Sequence, residues 1–411
     1  MAEQTALCDR GGPEIIGTAL NNIPQTGPHM RIAMIGIKGI PARFGGFETA
    51  VDEISRGLVK RGHEVVVYNR SGMSNHHPRD SYEGVKLVTL ATLKSKDFST
   101  IVHAFLSTLH VLFHPVDVVH YFTTGATLFA PLVRLRGMKV VCSVDGTDWQ
   151  RAKWGLLARW YLRLSERFAG SFCDGLISDS RDVERYYRER YRVRSSCIVY
   201  GMSEHLSTGN DCLVRFDLKP RDYFLFVGRL VPENNVHVLV QAFEGVRTRK
   251  KLVIVGDDPW LKDYVRALKS TSDSRIVFTG GVYGDGYAQL QQNAYAFILP
   301  DEVGGTHPAL VEAMGFGNCV LVNDTPSNLE VIEDAGFSYR GAIGVLDLRR
   351  QMQMLDQSPR VVSDCREKAQ ARARIHYRWD DVVEKHSNLY RTLDRSRNFS
   401  VEPRSTSTEN S

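Results

Sequence analysis

The stretch VGGTHPALVEAMGFG, which starts at Val303, joins a glycine loop to the first turns of a helix. Gly304 and Gly305 leave the backbone free of side chains. Pro308 suits the first helical turn, because an N–H at that position would have no helical partner in any case. Free N–H groups and the positive end of the helix dipole favour a bound phosphate. The spacing also directs Glu312 toward the same cleft.

Two residues of the same loop complete the predicted anion site. Thr306 or His307 stands where a side chain can cap the helix. We predict that both lie beside the bound donor, together with the two glycines. The alternative is a loop before a core helix, with Glu312 exposed and without a ligand.

Further groups suited to a diphosphate follow predicted strands. Arg229 comes directly after the apolar run YFLFVG, and its guanidinium can form paired hydrogen bonds with phosphate oxygens. Asn234 and Asn235 follow within reach. The first strand-to-helix loop carries a second predicted donor-binding set, Gly45, Gly46, Phe47 and Glu48. Each residue alone has a structural alternative, such as a turn glycine or a surface ion pair. Jointly they provide what a nucleotide-diphosphate site requires.

Alternating strand and helix patterns must position these residues. Apolar runs such as RIAMIGI, HEVVVYN and KLVIVG indicate buried parallel strands separated by helices. The predicted fold class is α/β, with two doubly wound Rossmann-like domains facing a central cleft. The first glycines do not follow the GxGxxG order, and the second strand ends in Asn69 and Arg70 rather than in an acid. This argues against a dinucleotide-binding dehydrogenase.

The chain is long enough for two separate cores, since 43% of its 411 residues are hydrophobic. The polar, turn-rich stretch from Tyr200 to Arg221 is the predicted linker. We therefore predict an N-terminal Rossmann-like domain over 30–205 and a C-terminal domain over 206–395, which carries most of the predicted nucleotide-diphosphate site. Its last helix is able to cross back to the first domain. Residues 1–29 and 396–411 are polar and predicted to be disordered.

Composition restricts the partners. The net charge of only +5, without a basic run interleaved with aromatic residues, argues against nucleic acid. The seven cysteines are scattered without CxxC spacing, which fits a reducing cytosol and reveals no zinc site. The chain has neither the order of a signal peptide nor an apolar run of about eighteen residues. We therefore expect a cytoplasmic protein that is soluble or lies on a membrane surface.

Three separated motifs resemble those of the family-four retaining glycosyltransferases of the GT-B fold, and they occur in the same order as in that family. They are GGFE near the N-terminus, VGRLVPENN at the first strand of the second domain, and VGGTHPALVEAMGFG near its end. The resemblance covers about residues 31–390. More narrowly, GIPARFGGFET, VDGTDWQRAKWG and RLVPENNVH look like a bacterial rhamnosyltransferase-like branch involved in surface polysaccharides. The resemblance implies that Glu312, as the second glutamate of an E-x7-E motif, contacts the donor ribose.

The donor-sugar contact departs from the family pattern. The first glutamate of the motif falls on Gly304. The resemblance implies that the loop before the helix holds donor sugar and diphosphate. Asp301, Glu302 or backbone amides of the loop must therefore replace the missing carboxylate.

The diphosphate contact departs as well. The family's arginine-lysine pair keeps Arg229, but Asn234 and Asn235 stand where the lysine would be. Neutral amides bind phosphate without offsetting its charge. Lys38, Arg43 or the helix dipole are the expected substitutes.

Asp145 is the predicted acceptor-side group. It follows the strand MKVVCSV, with Asp148 nearby. A carboxylate there can accept the proton of the acceptor hydroxyl or hold a hydroxyl of the donor sugar. Its alternative role is to cap the helix predicted to begin near residue 150. Glu48 and His120 are the next candidates, although a lone histidine is more often structural.

The helix predicted between Ala152 and Phe168 carries aromatic and aliphatic residues beside Arg159, Arg163 and Arg167. Such a basic and aromatic face suits an anionic membrane surface on the inner side of the plasma membrane. The alternative is a core-packing stripe with a solvated arginine edge.

Together these features predict a glycosyltransferase that moves a sugar, rhamnose on the narrower resemblance, from a nucleotide diphosphate to a hydroxyl. The acceptor is a glycan or lipid-linked glycan, and transfer retains the anomeric configuration. Asp145, Glu312 and Arg229 are the predicted catalytic residues. The absence of a DxD pair on a loop predicts no metal, and the nucleotide sugar is a co-substrate rather than a cofactor. One alternative is a nucleotide-sugar epimerase on a similar fold, and another is a non-catalytic nucleotide-sugar-binding protein.

Overall fold

The computed structural model describes residues 29–42, 45–71, 80–92, 98–144, 149 and 155–398, without the side chains of residues 98 and 395–398. Most of the two predicted disordered ends lies outside these ranges. The described chain forms two parallel α/β sheets that face each other. This confirms the predicted fold class.

The N-terminal half forms an eight-stranded sheet. Its strands are β1 (Arg31–Ile35), β2 (Glu64–Arg70), β3 (Ser81–Tyr82), β4 (Val85–Leu90), β5 (Val118–Tyr121), β6 (Lys139–Val144), β7 (Gly175–Ser178) and β8 (Ser196–Cys197). They are ordered β3-β4-β2-β1-β5-β6-β7-β8. Only the β3–β4 pair is antiparallel among the described strands. All four residues of β5 and the last four of the five residues of β1 are buried, as expected for strands with both faces covered by helices.

Helices cover both faces of this sheet. They are α1 (Gly46–Lys60), α2 (Phe98–Phe113), α3 (Ala130–Leu135), α4 (Leu156–Phe172) and α5 (Arg181–Tyr191). A 3₁₀ turn over Thr124–Phe129 leads into α3. The face of α4 that packs on the domain is formed by its buried residues Leu162, Ser165, Glu166 and Ala169. Two residues of the aromatic and aliphatic stripe predicted for this helix, Leu157 and Trp160, are instead exposed.

The C-terminal half forms a six-stranded parallel sheet. Its strands are β9 (Tyr223–Val227), β10 (Lys251–Val255), β11 (Ile276–Gly280), β12 (Ala296–Leu299), β13 (Cys319–Asn323) and β14 (Phe337–Tyr339). They are ordered β11-β10-β9-β12-β13-β14. Two buried apolar clusters fill its faces, one under each helical layer. The carboxyl ends of its central strands therefore meet at one edge, where ligands of such sheets bind.

The helices of this half include the one that follows the glycine loop. They are α6 (Asp211–Arg215), α7 (Val236–Glu244), α8 (Lys262–Leu268), α9 (Gly284–Asn293), α10 (Pro308–Gly315), α11 (Pro326–Ile332), α12 (Val345–Gln357), α13 (Pro359–His376) and α14 (Trp379–Asn398). No helix in the described ranges is both long and apolar enough to cross a bilayer.

The last helix, α14, packs on the N-terminal half. The ring of His63 lies 3.1 Å from Ser387 Oγ through its Nε2, and Nδ1 of His120 lies 2.7 Å from Tyr390 Oη. A Cβ on Gly57 of α1 would stand 2.5 Å from a methyl group of Val383, so the two helices approach closely. The chain thus crosses between the halves twice, and the two crossings lie side by side, because the N–H of Met202 donates a 2.7 Å hydrogen bond to the carbonyl oxygen of Tyr377.

Candidate active site

A cavity of about 480 Å³ lies between the two sheets, with walls from both domains. The carboxyl ends of β9, β10, β11 and β12 form one wall, and the loop into α1 faces it. The N-terminal domain contributes Ala42, Gly45, Gly46, Phe47, Thr49, Asp179 and Tyr200. Most of the predicted donor-binding residues of the second domain also lie here, namely Arg229, Asn234, Gly304, Gly305, Thr306, His307 and Glu312.

Glu312 stands one turn into α10 and is held by a tyrosine. The hydroxyl of Tyr287 donates a hydrogen bond to its Oε2, and Gln291 Nε2 donates to that hydroxyl at 2.9 Å. Burial raises the pKa of Glu312 to about 7, although the bond from Tyr287 works in the opposite direction. The acid thus titrates near neutral pH at the cavity wall, which is typical of functional carboxylates.

Arg229 lies exposed on the cavity wall two residues beyond β9. Asn234 Nδ2 donates to its carbonyl oxygen at 3.1 Å, so this amide shapes the backbone of the arginine. Lys38 from the other domain is near enough to interact electrostatically with Arg229. Desolvation lowers the pKa of Lys38, Glu48 partly offsets this, and Arg229 adds to the lowering. A cation of the opposite domain thus lies near Arg229, although Lys38 itself does not line the cavity.

The donor loop contacts the other domain directly. Thr306 Oγ1 donates a 2.6 Å hydrogen bond to the carbonyl oxygen of Asp179, so it does not cap α10 as predicted. A Cβ added to Gly305 would overlap the carboxylate of Asp179. The predicted capping role of His307 is wrong as well, because its side chain forms no cap hydrogen bond. The loop is thus shaped by the facing domain.

The first-domain glycines have equally specific neighbours. A Cβ on Gly46 would stand 2.6 Å from Cγ of Pro308, the first residue of α10 in the other domain. Gly45 has φ 97°, which favours glycine, and the carboxylate of Glu48 fills the space beside it. Glu48 accepts a 3.1 Å hydrogen bond from the backbone N–H of Lys38 and does not contribute to the cavity wall. Its predicted donor contact is therefore replaced by a role in shaping this loop.

Two other candidates are used inside the domains. Asn235 adopts a left-handed conformation with φ 48°, and its amide donates to Pro300 O at 3.2 Å and to Glu302 Oε2 at 2.9 Å. It holds the turn into α7 and does not line the cavity. His120 is fully buried between Tyr390 Oη and Ser143 Oγ, so it is no reserve catalytic group.

The acceptor side cannot be placed in the same way. Asp145, the predicted acceptor-side group, lies outside the described residues, as do Asp148 and Arg43. Its role stays a prediction. The described part of the chain holds no group of three metal-ligating side chains, and metal independence also stays a prediction.

Sequence reasoning missed several residues of the cavity. Asp179 directly follows β7, so the rule that selected Asp145 at a strand end would also have selected it. The cavity floor is formed by glycines that follow β9, β10 and β11, and each carried the same signal of a glycine after an apolar run: Gly228, Gly256 and Gly281. Tyr287 had no such signal, because it lies in an ordinary helical pattern.

Family comparisons agree with this geometry. Residues 44–200 match the family described as Glycosyltransferase Family 4, and residues 221–345 match Glycosyl transferases group 1. The chain is 26% identical over 188 residues to O-antigen chain mannosyltransferase B of Escherichia coli, covering 44% of this chain and 49% of the relative. It is 23% identical over 281 residues to O-antigen chain mannosyltransferase C of the same organism, covering 67% and 73%. The first match thus spans about half of the relative's length.

Solved structures share the fold. Sucrose-phosphate synthase from Thermosynechococcus elongatus superposes with a TM-score of 0.77 at 17% identity, covering 90% of this chain and all (100%) of that chain. Anabaena Alr3699/HepE in complex with UDP and glucose superposes with a TM-score of 0.71 at 16% identity, covering 89% and 100%. The two facing Rossmann-like domains are the GT-B fold. With both domains matched by family and architecture, this chain belongs to the family-four glycosyltransferases.

Proposed function

We propose that this protein transfers a sugar from a nucleotide-diphosphate donor to a hydroxyl of a glycan or lipid-linked glycan in surface-polysaccharide biosynthesis. One observation carries the proposal: Glu312, Arg229 and the donor loop converge on a single cavity between the two domains. The O-antigen mannosyltransferases among the relatives, and the UDP and glucose bound by the HepE protein, support the substrate class.

On the donor side, Glu312 accepts hydrogen bonds from the nucleotide ribose. Arg229 and Lys38 offset the charge that develops on the leaving nucleotide diphosphate, and the N-terminus of α10 adds its dipole. This distribution replaces the family's arginine-lysine pair, since the second cation comes from the facing domain. Charge stabilisation then requires the two domains to stand close together.

On the acceptor side, Asp145 accepts the proton of the attacking hydroxyl. Transfer proceeds with retention and without a metal, as the family resemblance implies. The narrower resemblance favours rhamnose, whereas the similarity to O-antigen mannosyltransferases favours mannose. The two sugars differ in nucleotide as well as in hydroxyl pattern, so donor screening separates them.

The test is a donor panel of dTDP-rhamnose, GDP-mannose and UDP-glucose. Thermal shift first identifies the bound donor, because a ligand at about 100 times its Kd stabilises the fold by about 2.7 kcal/mol. Release of nucleotide is then measured with and without a lipid-linked glycan extract, in the presence of EDTA. Proton NMR of the new anomeric centre reports retention or inversion.

The alternatives give different outcomes in this assay. An epimerase would convert the donor sugar without any acceptor. A non-catalytic binding protein would show the thermal shift and never release nucleotide. Acceptor-dependent release with a new glycosidic bond is the outcome that we expect, and its absence with every donor would refute the proposed reaction.

We also propose that the N-terminal domain lies on an anionic lipid surface, where a lipid-linked acceptor would be found. Helices α2, α3 and α4 are adjacent, since α3 contacts both of the others. Their outer side, named here the apolar face, exposes eight large hydrophobic residues: Phe105, Leu109, Phe113, Leu132, Leu135, Leu156, Leu157 and Trp160.

Charge on this face favours anionic lipid. Arg134, Arg163 and Arg167 are exposed on α3 and α4, with Arg163 stacked 4.0 Å over the ring of Trp149. The single acid within these three helices, Glu166, is buried and accepts hydrogen bonds from the Tyr186 and Tyr191 hydroxyls. Exposed arginines without exposed acids attract a negative surface, at roughly 1 kcal/mol for each basic residue near it.

Vesicle co-sedimentation tests this surface. We expect binding to phosphatidylcholine vesicles that contain phosphatidylglycerol, little binding without it, and weakening at high salt. Replacing Leu156, Leu157 and Trp160 with Ser should abolish binding. The matched control is Leu346→Ser with Ile375→Ser, which removes equally exposed side chains from the other domain. Equal binding of both variants would refute this docking face.

A further inference from the structure

The donor loop contains an acid-histidine pair that stands in place of the missing first glutamate. Asp301 lies two residues beyond the end of β12 and is 4% exposed, and its Oδ2 lies 3.5 Å from Nδ1 of His307. Both residues line the cavity with Glu312 and Arg229. The two residues flank the Glu302–Thr306 segment of the loop, one on each side.

The ring of His307 occupies the space beside Gly304. A Cβ built on Gly304 would stand 3.4 Å from Cε1 and 3.6 Å from Nε2 of that ring. Gly304 has φ 136°, a conformation that residues with side chains rarely adopt. A glutamate therefore does not fit this loop without strain, and the imidazole takes the volume that such a side chain would enter.

The chemistry of the pair suits a sugar hydroxyl. A carboxylate beside Nδ1 favours the proton on that nitrogen, which leaves Nε2 as a hydrogen-bond acceptor. Its Nε2 and Cε1 edge lies beside Gly304, the position at which the family pattern has its first glutamate. An imidazole acceptor held by an acid is thus able to receive the same hydroxyl proton.

We propose that His307, positioned by Asp301, binds a hydroxyl of the donor sugar and replaces the missing glutamate in sugar recognition. This inference rests on the proposed function, because it assigns the sugar subsite of the same cavity. His307 is the contact residue, and Asp301 is a positioning residue that sets its orientation and tautomer. Glu302 is excluded from this role, since its carboxylate accepts a hydrogen bond from the Asn235 side chain.

The experiment compares each nucleotide diphosphate with its own sugar ester. Calorimetry measures the Kd of UDP and UDP-glucose, GDP and GDP-mannose, and dTDP and dTDP-rhamnose. For the preferred pair, His307→Ala should weaken binding of the sugar nucleotide about 5- to 50-fold, since a polar partner is lost in a desolvated site. Binding of the diphosphate should change less than about threefold, which also shows that the variant is folded.

Two amide variants show which ring nitrogen of His307 binds the sugar hydroxyl. The side-chain amide of Gln reaches the position of Nε2 and can present its oxygen there as an acceptor, whereas the amide of Asn reaches only the position of Nδ1. His307→Gln should therefore keep part of the preference for the sugar nucleotide, and His307→Asn should lose it. Asp301→Asn should weaken sugar-nucleotide binding in the same direction. The matched control is Glu302→Gln, which changes an acid of the same loop outside the cavity and should behave as the wild type.

The outcomes separate this inference from the proposed function. An unchanged ratio of the two Kd values in His307→Ala would overturn the sugar contact even if transfer is normal. Loss of the ratio in a protein that shows no acceptor-dependent turnover would support the sugar contact while the proposed reaction fails. A wild-type protein that binds none of the six nucleotides would overturn both.

Discussion

Glu312 gives the sharpest prediction, because its burial has opposite effects on stability and on binding. Its pKa of about 7 means that the folded protein keeps a proton that the unfolded chain loses above its ordinary pKa of 4.5. Stability therefore falls as pH rises from 4.5 to 7, and the full cost is present above 7. At about 1.4 kcal/mol for each pH unit between the two values, this cost is about 3 kcal/mol.

The substitution Glu312→Gln removes the ionisation and keeps the shape. The variant should match the wild type near pH 4.5 and exceed it by up to about 3 kcal/mol at pH 8. For a domain of this size that corresponds to about 2 to 4 °C in Tm for each kcal/mol. Nucleotide binding should respond in the opposite direction. The ionised acid is the better acceptor for ribose hydroxyls, so affinity should rise through pH 7 in the wild type and fall about 10- to 100-fold in the variant.

Differential scanning fluorimetry of the ligand-free protein at several pH values measures the first effect, and calorimetry with the nucleotide diphosphate measures the second. Glu302→Gln is the matched acid-to-amide control outside the cavity. If Glu312→Gln is no more stable than the wild type at pH 8, or if it is more stable by the same amount at pH 5, burial of the ionised acid does not destabilise the folded protein as expected. If stability behaves as expected but affinity does not change, Glu312 does not contact the nucleotide.

Three further predictions concern the charge, the closure and the helix that joins the domains. Arg229→Lys keeps the positive charge but loses the paired hydrogen bonds, so turnover measured by nucleotide release should fall about tenfold. In Arg229→Ala, which loses both, turnover should fall at least about a hundredfold. Full turnover in the alanine variant would exclude the leaving-group role. Gly305→Ala places a methyl group against Asp179 and should hold the cleft open. We expect a larger radius of gyration in X-ray scattering, a lower kcat and weaker binding of the diphosphate, and Gly155→Ala, which meets nothing within 4 Å, is its control. Burial lowers the pKa of His386 in α14 to about 4, so the folded state resists protonation and stability is lost as pH falls below the ordinary value of 6.5 toward 4. The protection factors of the α14 amides, which correct for the slower intrinsic exchange at lower pH, should fall over that window, and equal protection factors at pH 7.5 and pH 4.5 would contradict the argument.

Local sequence rules predicted much of the architecture and of the donor wall. Apolar runs followed by glycine mark the ends of β9, β10 and β11, so the cleft edge could be predicted from strand periodicity alone. Arg229 could be selected because it directly follows such a run, and Glu312 because it stands one turn into the helix after the glycine loop. A local sequence pattern cannot show which distant segment supplies the contact partner of each group. Tyr287 reaches Glu312 from another helix, and no spacing within either helix indicates that contact.

The glycines show the same limit more clearly. Their sequence context predicted close approach of a phosphate, and that prediction stays untested. The structure adds a second requirement, because Gly46 lies under Pro308 of the other domain and Gly305 lies under Asp179. Each domain thus contributes one residue without a side chain and one that packs over the partner's glycine. A sequence pattern cannot distinguish a glycine that admits a ligand from one that admits the facing domain.

This reciprocal packing has a consequence for the reaction. The loop that carries Gly305 and Thr306 leads directly into the helix of Glu312, so donor contacts and interdomain contacts share one short segment. A donor shifts the domains toward the closed arrangement only by as much as it binds that arrangement more tightly. On the proposed function, Lys38 would supply such a difference, because it belongs to the facing domain and would offset the diphosphate charge only when the cleft is closed. We therefore expect Lys38→Met to weaken binding of the diphosphate and to remove the donor-induced decrease in radius of gyration, while a donor-induced decrease that persists in this variant would place the closing force elsewhere in the cleft.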